Sequence, residues 1–327
     1  MQGAKDRPIG LEERVIACFQ GLASGDAVGK QTETLPHKEI EKLYPGGVTG
    51  FHGRPGDIIP RYLGKKYPWR IGETTDDTEQ TLAVARALLR ERKVSHEAIG
   101  KELLQCRKSL HPGVSLWAFH QSGDPARITT EGNGCGAAMR VAPIGVIYRS
   151  SRLDDLIQGA YECAIPTHGG QLAICAAAAV ACAIAAALDG KSADEALEGA
   201  LEISRKAERL RPSKGKPTMA DCLRSIHSDL ASRDQLRVNA IAQKYFPDTP
   251  LTIVPLAISL AVITQSSEQT ILIAANLGGD SDSVASIGGA IAAALRPQTV
   301  NSEWVEAVNS VNQDNLAEIA ISLAAMR

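Results

Sequence analysis

Apolar residues recur along this chain at three- and four-residue intervals, and strict alternation is almost nowhere seen. Val15, Ile16, Phe19 and Leu22 make one stripe over residues 10–29. Leu82, Ala85, Leu88 and Leu89 make another between Thr78 and Arg92, and a further helix follows around Glu97 to Lys108. Such spacing returns side chains to one face of an α-helix at every turn. Helical texture continues over 152–164, 168–188, 192–209, 219–231, 253–264, 268–276, 282–295 and 313–326. Ser192-Ala193-Asp194-Glu195 and Ser267-Glu268-Gln269-Thr270 have the composition of helix starts. Strand signals are nearly absent and no solenoid-length repeat is visible. The pattern predicts an all-α protein forming a single domain over residues 1–327.

Two regions interrupt it. Between residues 44 and 73 the chain is punctuated by Gly46, Gly47, Gly50, Gly53, Pro55, Gly56, Pro60, Gly64 and Pro68, where no helix can persist. A glycine- and proline-rich stretch of that length predicts a functional loop or a lid. The second interruption runs from Gly123 to Gly136. Residues 210–217 resemble a linker, but the chemically informative motifs lie on both sides of them, so no domain boundary is placed there. Leu172 to Leu188 carries no charge and reaches the lower edge of a membrane span. Most of it is alanine, which gains little from lipid, so a buried core helix is predicted.

Composition narrows the function classes. Of 327 residues, 44% are hydrophobic but only 4% aromatic, which suits closely packed helices rather than a β-sandwich. The 35 Lys and Arg nearly balance 37 Asp and Glu, so no polybasic surface for nucleic acid or for a membrane is forced on the molecule. Cys18, Cys106, Cys135, Cys163, Cys175, Cys182 and Cys222 are scattered, odd in number and never spaced as Cys-x-x-Cys. They predict a reducing, cytoplasmic setting. Residues 1–14 are charged and lack the apolar run of a secretory signal.

Familiar motifs fail. Gly132-Asn133-Gly134-Cys135-Gly136 is not a dinucleotide fingerprint, and Gly29-Lys30 lacks the remainder of a P-loop. Asp280-Ser281-Asp282 opens like a calcium loop, yet Val284 and Ile291 occupy ligand positions.

What remains is two clusters of hard oxygen donors just ahead of Ala-rich helices. They are Thr74-Thr75-Asp76-Asp77-Thr78-Glu79 and Gly278-Gly279-Asp280-Ser281-Asp282-Ser283. Carboxylates and hydroxyls without His or Cys form a Mg²⁺ or Mn²⁺ set. Each cluster alone also serves as an N-cap worth about 1 kcal/mol. A cap needs one oxygen, however, and adjacent carboxylates repel unless a cation lies between them. Three further pieces accompany them: Gly25-Asp26 with Glu33 in the polar loop that follows; Thr129-Thr130-Glu131 leading into the Gly132–Gly136 loop, a turn or an anion nest; and Thr167-His168-Gly169-Gly170 at the mouth of an apolar helix. Arg140 reads as a structural pairing group.

In this order the pieces resemble the ADP-ribosylglycohydrolase family. The matching residues are Gly25-Asp26 with Glu33; Pro68-Trp69 with Gly72 to Thr78; Gly134 to Arg140 with Ala142-Pro143; Thr167-His168; and Gly278 to Asp282. The resemblance implies a compact orthogonal all-α domain with two Mg²⁺ (or Mn²⁺) ions at the base of an ADP-ribose cleft. The metal ligands it implies are Thr75, Asp76, Asp77, Asp280, Asp282 and Ser283, the last replacing a threonine. Glu33 matches the family's acidic loop residue and, with Asp76, Asp77 and Asp282, would make the catalytic group. Thr130, Gly132, Asn133, Gly134, Cys135, Gly136 and His168 would contact substrate, the glycine loop at the diphosphate and His168 toward the adenosine. Thr130 and Glu131 stand where the family often carries serine and an aromatic.

The activity this implies is metal-dependent cleavage of the glycosidic bond between ADP-ribose and a protein acceptor, arginine first. Two alternatives are an N-glycosidase acting on a free nucleoside or ribosylated metabolite, and a retired ADP-ribose binder. The basic run Lys206, Arg209, Arg211, Lys214 and Lys216 reads as a solvated loop or as a contact for an acidic protein substrate.

Overall fold

Two helices far apart in sequence, Leu11–Gly29 and Ser281–Leu295, pack face to face through a row of small residues. A Cβ on Gly21 would lie 2.4 Å from the Gly289 carbonyl oxygen, and one on Gly25 would lie 2.2 Å from that of Ala285. Only glycine at these one-turn spacings lets the two backbones approach so closely. This pair is the frame on which the rest is hung. The computed structural model describes residues 9–52, 61–62, 65–66, 70–108, 114–210, 217–233 and 235–327.

The all-α expectation holds. After Leu11–Gly29 come His37–Leu43, Asp76–Glu91, His96–Leu103, Val114–Ser122, Gly136–Met139, Ala142–Ile147, Leu153–Ala164 and Gln171–Leu188. Ala193–Leu210, Met219–Ala231, Val238–Ala242, Pro250–Thr264, Ser267–Ala275, Ser281–Leu295, Ser302–Val311 and Leu316–Ala324 complete the series. Among the described residues, strand is confined to the two-residue ladder of Arg61–Tyr62 with Lys65–Lys66, paired antiparallel, and one isolated bridge between Pro36 and Gly278.

One contiguous cluster of buried side chains runs through the molecule from Val15 to Ala324. The Ala-rich helix Gln171–Leu188 lies at its centre, 89% buried, as a core helix should be. Alanine costs little side-chain entropy and leaves room for neighbours on every side, so Ala193–Leu210, Leu153–Ala164 and Ala142–Ile147 all pack against it.

The long helices end within a few residues of their expected limits. The segment expected from 168 begins at Gln171, because Gly170 is extended at φ −65°, ψ 144° and serves as its N-cap. The segment expected from 253 begins at Pro250, where Thr249 forms a capping box and proline occupies the first turn. The helices His37–Leu43, Gly136–Met139, Ala142–Ile147 and Val238–Ala242 are too short to show a full apolar period. Parts of the expected 44–73 loop, with Pro68-Trp69 and Gly53 to Pro60, lie outside the described residues, as do residues 211–216 of the basic run.

Candidate active site

The C-terminal half of Leu11–Gly29 positions both oxygen clusters. Asp26, fully buried on that helix, accepts hydrogen bonds from the Thr75 amide (3.0 and 2.9 Å to its two oxygens), the Thr78 amide (3.0 Å) and the Thr78 hydroxyl (2.5 Å). These bonds pin the first turn of Asp76–Glu91, whose N-cap Thr75 accepts from the Asp77 amide at 3.1 Å. Lys108 braces the same turn by donating to the Thr74 carbonyl at 2.8 Å. From sequence alone Asp26 has no assigned role. Its signal was a charged residue amid the small residues that face another helix.

The second cluster is held to the end of the same helix. The Ser281 hydroxyl donates to the Gly29 carbonyl at 2.9 Å, and the Thr32 hydroxyl donates to that of Ala275 at 2.5 Å. Gly278 and Gly279 enter with φ of +78° and +63°, a backbone that turns the chain sharply into Asp280. The Gly279 amide donates to the Leu35 carbonyl at 3.0 Å and its carbonyl accepts from Thr34 at 2.7 Å. The turn carrying Glu33 is thereby stitched to the turn carrying Asp280.

The two clusters meet. Burial pushes the Asp77 carboxyl well above the usual range, and the charges of Asp26, Asp76 and Asp280 push it further, against a hydrogen bond from Ser283. Asp282 is raised likewise by burial, then by Glu33, Asp280 and Asp77, with Lys30 opposing. Asp280 is raised by burial and by Glu33. Asp76 is pushed up to about 7 by burial, with Glu33 and Asp26 adding to the rise and Lys30 opposing. Carboxylates perturb one another in this way only when close together in a poorly solvated space.

Lys30 is the residue that the oxygen-ligand pattern passed over. Its side chain is 2% exposed and its ammonium pairs with Glu33, so a fixed cation stands at the rim of the acidic cluster. The carboxylates do not close into a cage by themselves: among the described residues, no three His, Cys, Asp or Glu side chains are gathered so as to hold an ion. Two buried carboxylate oxygens nonetheless have no hydrogen-bond partner among the described residues, Asp77 Oδ2 and Asp282 Oδ1. One comes from each cluster. Uncompensated buried anionic oxygens are costly, and together with the hydroxyls of Thr75 and Ser283 they fit a hard divalent cation.

Beside this cluster lies the glycine loop. Cys135 is buried against it: its thiol is raised well above the usual range by burial and by Asp280 and Asp77, and it hydrogen-bonds with Ser283. The loop is fixed from behind. The Gly169 amide donates to the Glu131 carbonyl at 2.8 Å, the Gly170 amide to that of Gly132 at 3.1 Å, and the Leu172 amide to Asn133 Oδ1 at 3.0 Å. Asn133, expected at the substrate, therefore caps the central helix with its side-chain oxygen. Among the described residues, the amides of Gly132 to Gly136 donate to no protein acceptor. Thr130 and Glu131 are exposed at the loop's outer edge.

His168 lies directly under the loop. A Cβ on Gly136 would stand 2.5 Å from its Cε1, and one on Gly134 would stand 3.2 Å from its Nε2. Burial, then the neighbouring Arg140, lowers the imidazole to about 3, so it is neutral. Arg140, fully buried, donates to Gln80 Oε1 at 2.8 Å and, at 2.7 Å each, to the Cys163 carbonyl and the Thr167 hydroxyl. It is a structural pairing group, as its sequence context implied.

The arrangement is thus an acidic, cation-compatible cluster next to a strip of open backbone amides, which can orient a sugar at one end and an anionic group at the other. Comparison with known proteins gives the family. The chain is 29% identical to the uncharacterized protein YegU of Escherichia coli (strain K12), over 96% of this chain and 97% of that protein. It is 26% identical to the ADP-ribosylarginine hydrolase Tri1 of Pseudomonas putida (strain GB-1), over 90% of this chain and 74% of that one. A solved ADP-ribosylglycohydrolase-related protein complex superposes with a TM-score of 0.68 at 24% identity, covering 97% of this chain and 98% of its own, and so shares the fold. The family model for ADP-ribosylglycohydrolase matches residues 7–327. With that match spanning nearly the whole sequence, the chain belongs to the ADP-ribosylglycohydrolase family, whose enzymes hydrolyse glycosidic bonds of ADP-ribose.

Proposed function

We propose that this chain is a metal-dependent hydrolase that cleaves the bond between ADP-ribose and an acceptor side chain, with arginine as the acceptor, and so reverses mono-ADP-ribosylation. The observation that carries the reading is the pair of orphaned buried oxygens, Asp77 Oδ2 and Asp282 Oδ1, one from each acidic turn. Thr75, Asp76, Asp77, Asp280, Asp282 and Ser283 would hold two Mg²⁺ or Mn²⁺ ions, a donor set of hard oxygens only. When bound, such ions would supply the positive charge that acidifies water and orients ribose hydroxyls.

The remaining work falls to the chain. Cleavage builds positive charge on the ribose ring; Asp76, Asp77 and Asp282 would hold the ions that orient the ribose hydroxyls while that charge develops. Glu33, partly exposed at the rim and paired with Lys30, handles the proton at the bond being broken. The amides of Gly132 to Gly136, which meet no acceptor among the described residues, would receive the diphosphate. Cys135 stays a thiol, since burial holds its pKa high, and serves as packing rather than as a nucleophile. The arginine linkage is supported by the likeness to the ADP-ribosylarginine hydrolase of P. putida. All seven cysteines are free, six of them buried, which supports a reducing, cytoplasmic setting.

The test is release of ADP-ribose from arginine-, serine- and O-acetyl-linked substrates, read by mass spectrometry with Mg²⁺ and with EDTA. Metal-dependent release from the arginine linkage, abolished in Asp76→Ala and Asp282→Ala, is expected. Preference for another linkage would replace the acceptor. Binding of ADP-ribose without release from any substrate would overturn the hydrolase in favour of a binder.

A further inference from the structure

A polar chain joins the acidic cluster to the glycine loop, and its donors and acceptors fall in only one order. Gln80 Nε2 donates to Asp76 Oδ2 at 3.1 Å, while Gln80 Oε1 accepts from Arg140 at 2.8 Å. Arginine has donors only, so this amide cannot be turned the other way. Arg140 donates next to the Thr167 hydroxyl oxygen at 2.7 Å, and that oxygen lies 2.7 Å from His168 Nδ1. A hydroxyl has one proton to give. Thr167 is 2% exposed, and among the described residues Nδ1 is the one acceptor its side chain meets. If Nδ1 carried a hydrogen, the Thr167 proton would be buried with no acceptor, a cost comparable to a lost hydrogen bond. The imidazolium is disfavoured too, because Arg140 already places a full positive charge at the other side of that hydroxyl.

We propose that Arg140 and Thr167 lock His168 as its Nε2–H tautomer, so that the buried imidazole offers a hydrogen-bond donor to an anionic oxygen bound over the Gly132–Gly136 loop. Arg140 and Thr167 are positioning residues: they touch no ligand and act by deciding which ring nitrogen holds the proton. The loop glycines complete the device. Nε2 lies about 3 Å from where a Cβ on Gly134 or Gly136 would stand, so only a loop without side chains there leaves the donor a line of access. The identity of the anion as the diphosphate of ADP-ribose rests on the function proposed above; the tautomer does not.

The test separates the two. Long-range ¹H–¹⁵N NMR on the unliganded, histidine-labelled protein reads the tautomer, with His168→Asn identifying the signal. The wild type is expected to show Nε2 protonated and Nδ1 bare, and Thr167→Ser to keep that state. Thr167→Val should give a mixed or inverted tautomer and weaken ADP-ribose binding by about tenfold in calorimetry, the worth of one hydrogen bond. A wild-type signal from Nδ1–H or from an imidazolium would overturn the lock. So would a folded Thr167→Val protein that keeps both the Nε2–H signal and full affinity. If wild-type protein shows Nε2–H but binds no ADP-ribose, the lock stands and its ligand, together with the proposed function, is overturned.

Discussion

The acidic cluster and the glycine loop lie side by side but are built on opposite principles. The cluster consists of side chains whose charges oppose one another, fixed by hydrogen bonds centred on one helix and the turn that follows it, at Asp26, Gly29 and Thr32. The loop consists of backbone, with its carbonyls and Asn133 tied to the start of the central helix and its amides left open. One region is thus strained electrostatically and braced mechanically. The other is neutral, and its reserve is unused donors. A site with this division can take a cation at one end and an anion at the other without either disturbing its neighbour.

The comparison breaks most severely at Asp26. Asp26→Ala would leave the amides of Thr75 and Thr78 and the Thr78 hydroxyl without acceptors in a buried place, for a loss on the order of 3 kcal/mol or more in urea unfolding. Removing the carboxylate relieves some repulsion at Asp77, and burial already raises the Asp26 carboxyl against its hydrogen bonds from Thr75 and Thr78 and the charge of Lys108, but three stranded donors outweigh that relief. Activity should vanish as well, because Asp76 and Asp77 lose their anchor. Unchanged stability would show that the turn stands on its own caps. Gly29→Ala comes next. Its Cβ would fall 2.6 Å from the Asp282 Cα and from the Ser281 carbonyl oxygen, both backbone, so the two turns must part at about 2 kcal/mol. Divalent-ion affinity measured by calorimetry should fall with it, while the glycine loop keeps its ligand.

Much of this contrast was legible in the sequence, for a physical reason. Carboxylates ahead of helices are conspicuous because they depart from the economy of a single cap, and Asp76, Asp77, Asp280 and Asp282 do come together. The long helices were legible because Val15, Phe19 and Leu22 or Leu82 and Leu88 repeat over several turns. Asp26 and Lys30 were not. Both sit on or just beyond a helix of small residues, and whether a charge there faces solvent or a neighbouring turn depends on how two helices 250 residues apart are packed. Asn133 is expected at the substrate only as part of the glycine loop, and its use as a cap emerges with the position of Leu172.

The glycine-loop side is probed more gently by pH. His168 is neutral when folded, with its pKa lowered to about 3, whereas an unfolded histidine titrates near 6.5. Below that value the unfolded chain takes up a proton that the folded one refuses, so stability present above about pH 6.5 is lost as pH falls toward 3. Between pH 7.5 and 5.5 the wild type should lose about 1.4 kcal/mol more than His168→Asn in matched urea titrations. Equal losses would mean that the imidazole gains solvent or a counter-charge in solution.

The smallest expected effect discriminates best between the two jobs of the loop. Asn133 accepts from the Leu172 amide at the start of the central helix, so Asn133→Ala should cost about 1 kcal/mol, the ordinary worth of a cap. Asn133→Asp keeps an acceptor at that point, and a carboxylate at a helix N-terminus is favoured by the helix dipole. Its stability should therefore match or slightly exceed that of the wild type. The same substitution puts a negative charge among the open amides of Gly132 to Gly136, where an anionic ligand is proposed to sit, and like charges at that range repel. The aspartate variant should thus be as stable as the parent by thermal unfolding, yet bind ADP-ribose at least tenfold more weakly, while the alanine variant shows the reverse balance. If the aspartate variant binds ADP-ribose as tightly as the parent, the amides of this loop are not where the diphosphate rests. The region would then be a cap for the central helix and nothing more, with its open donors left to solvent.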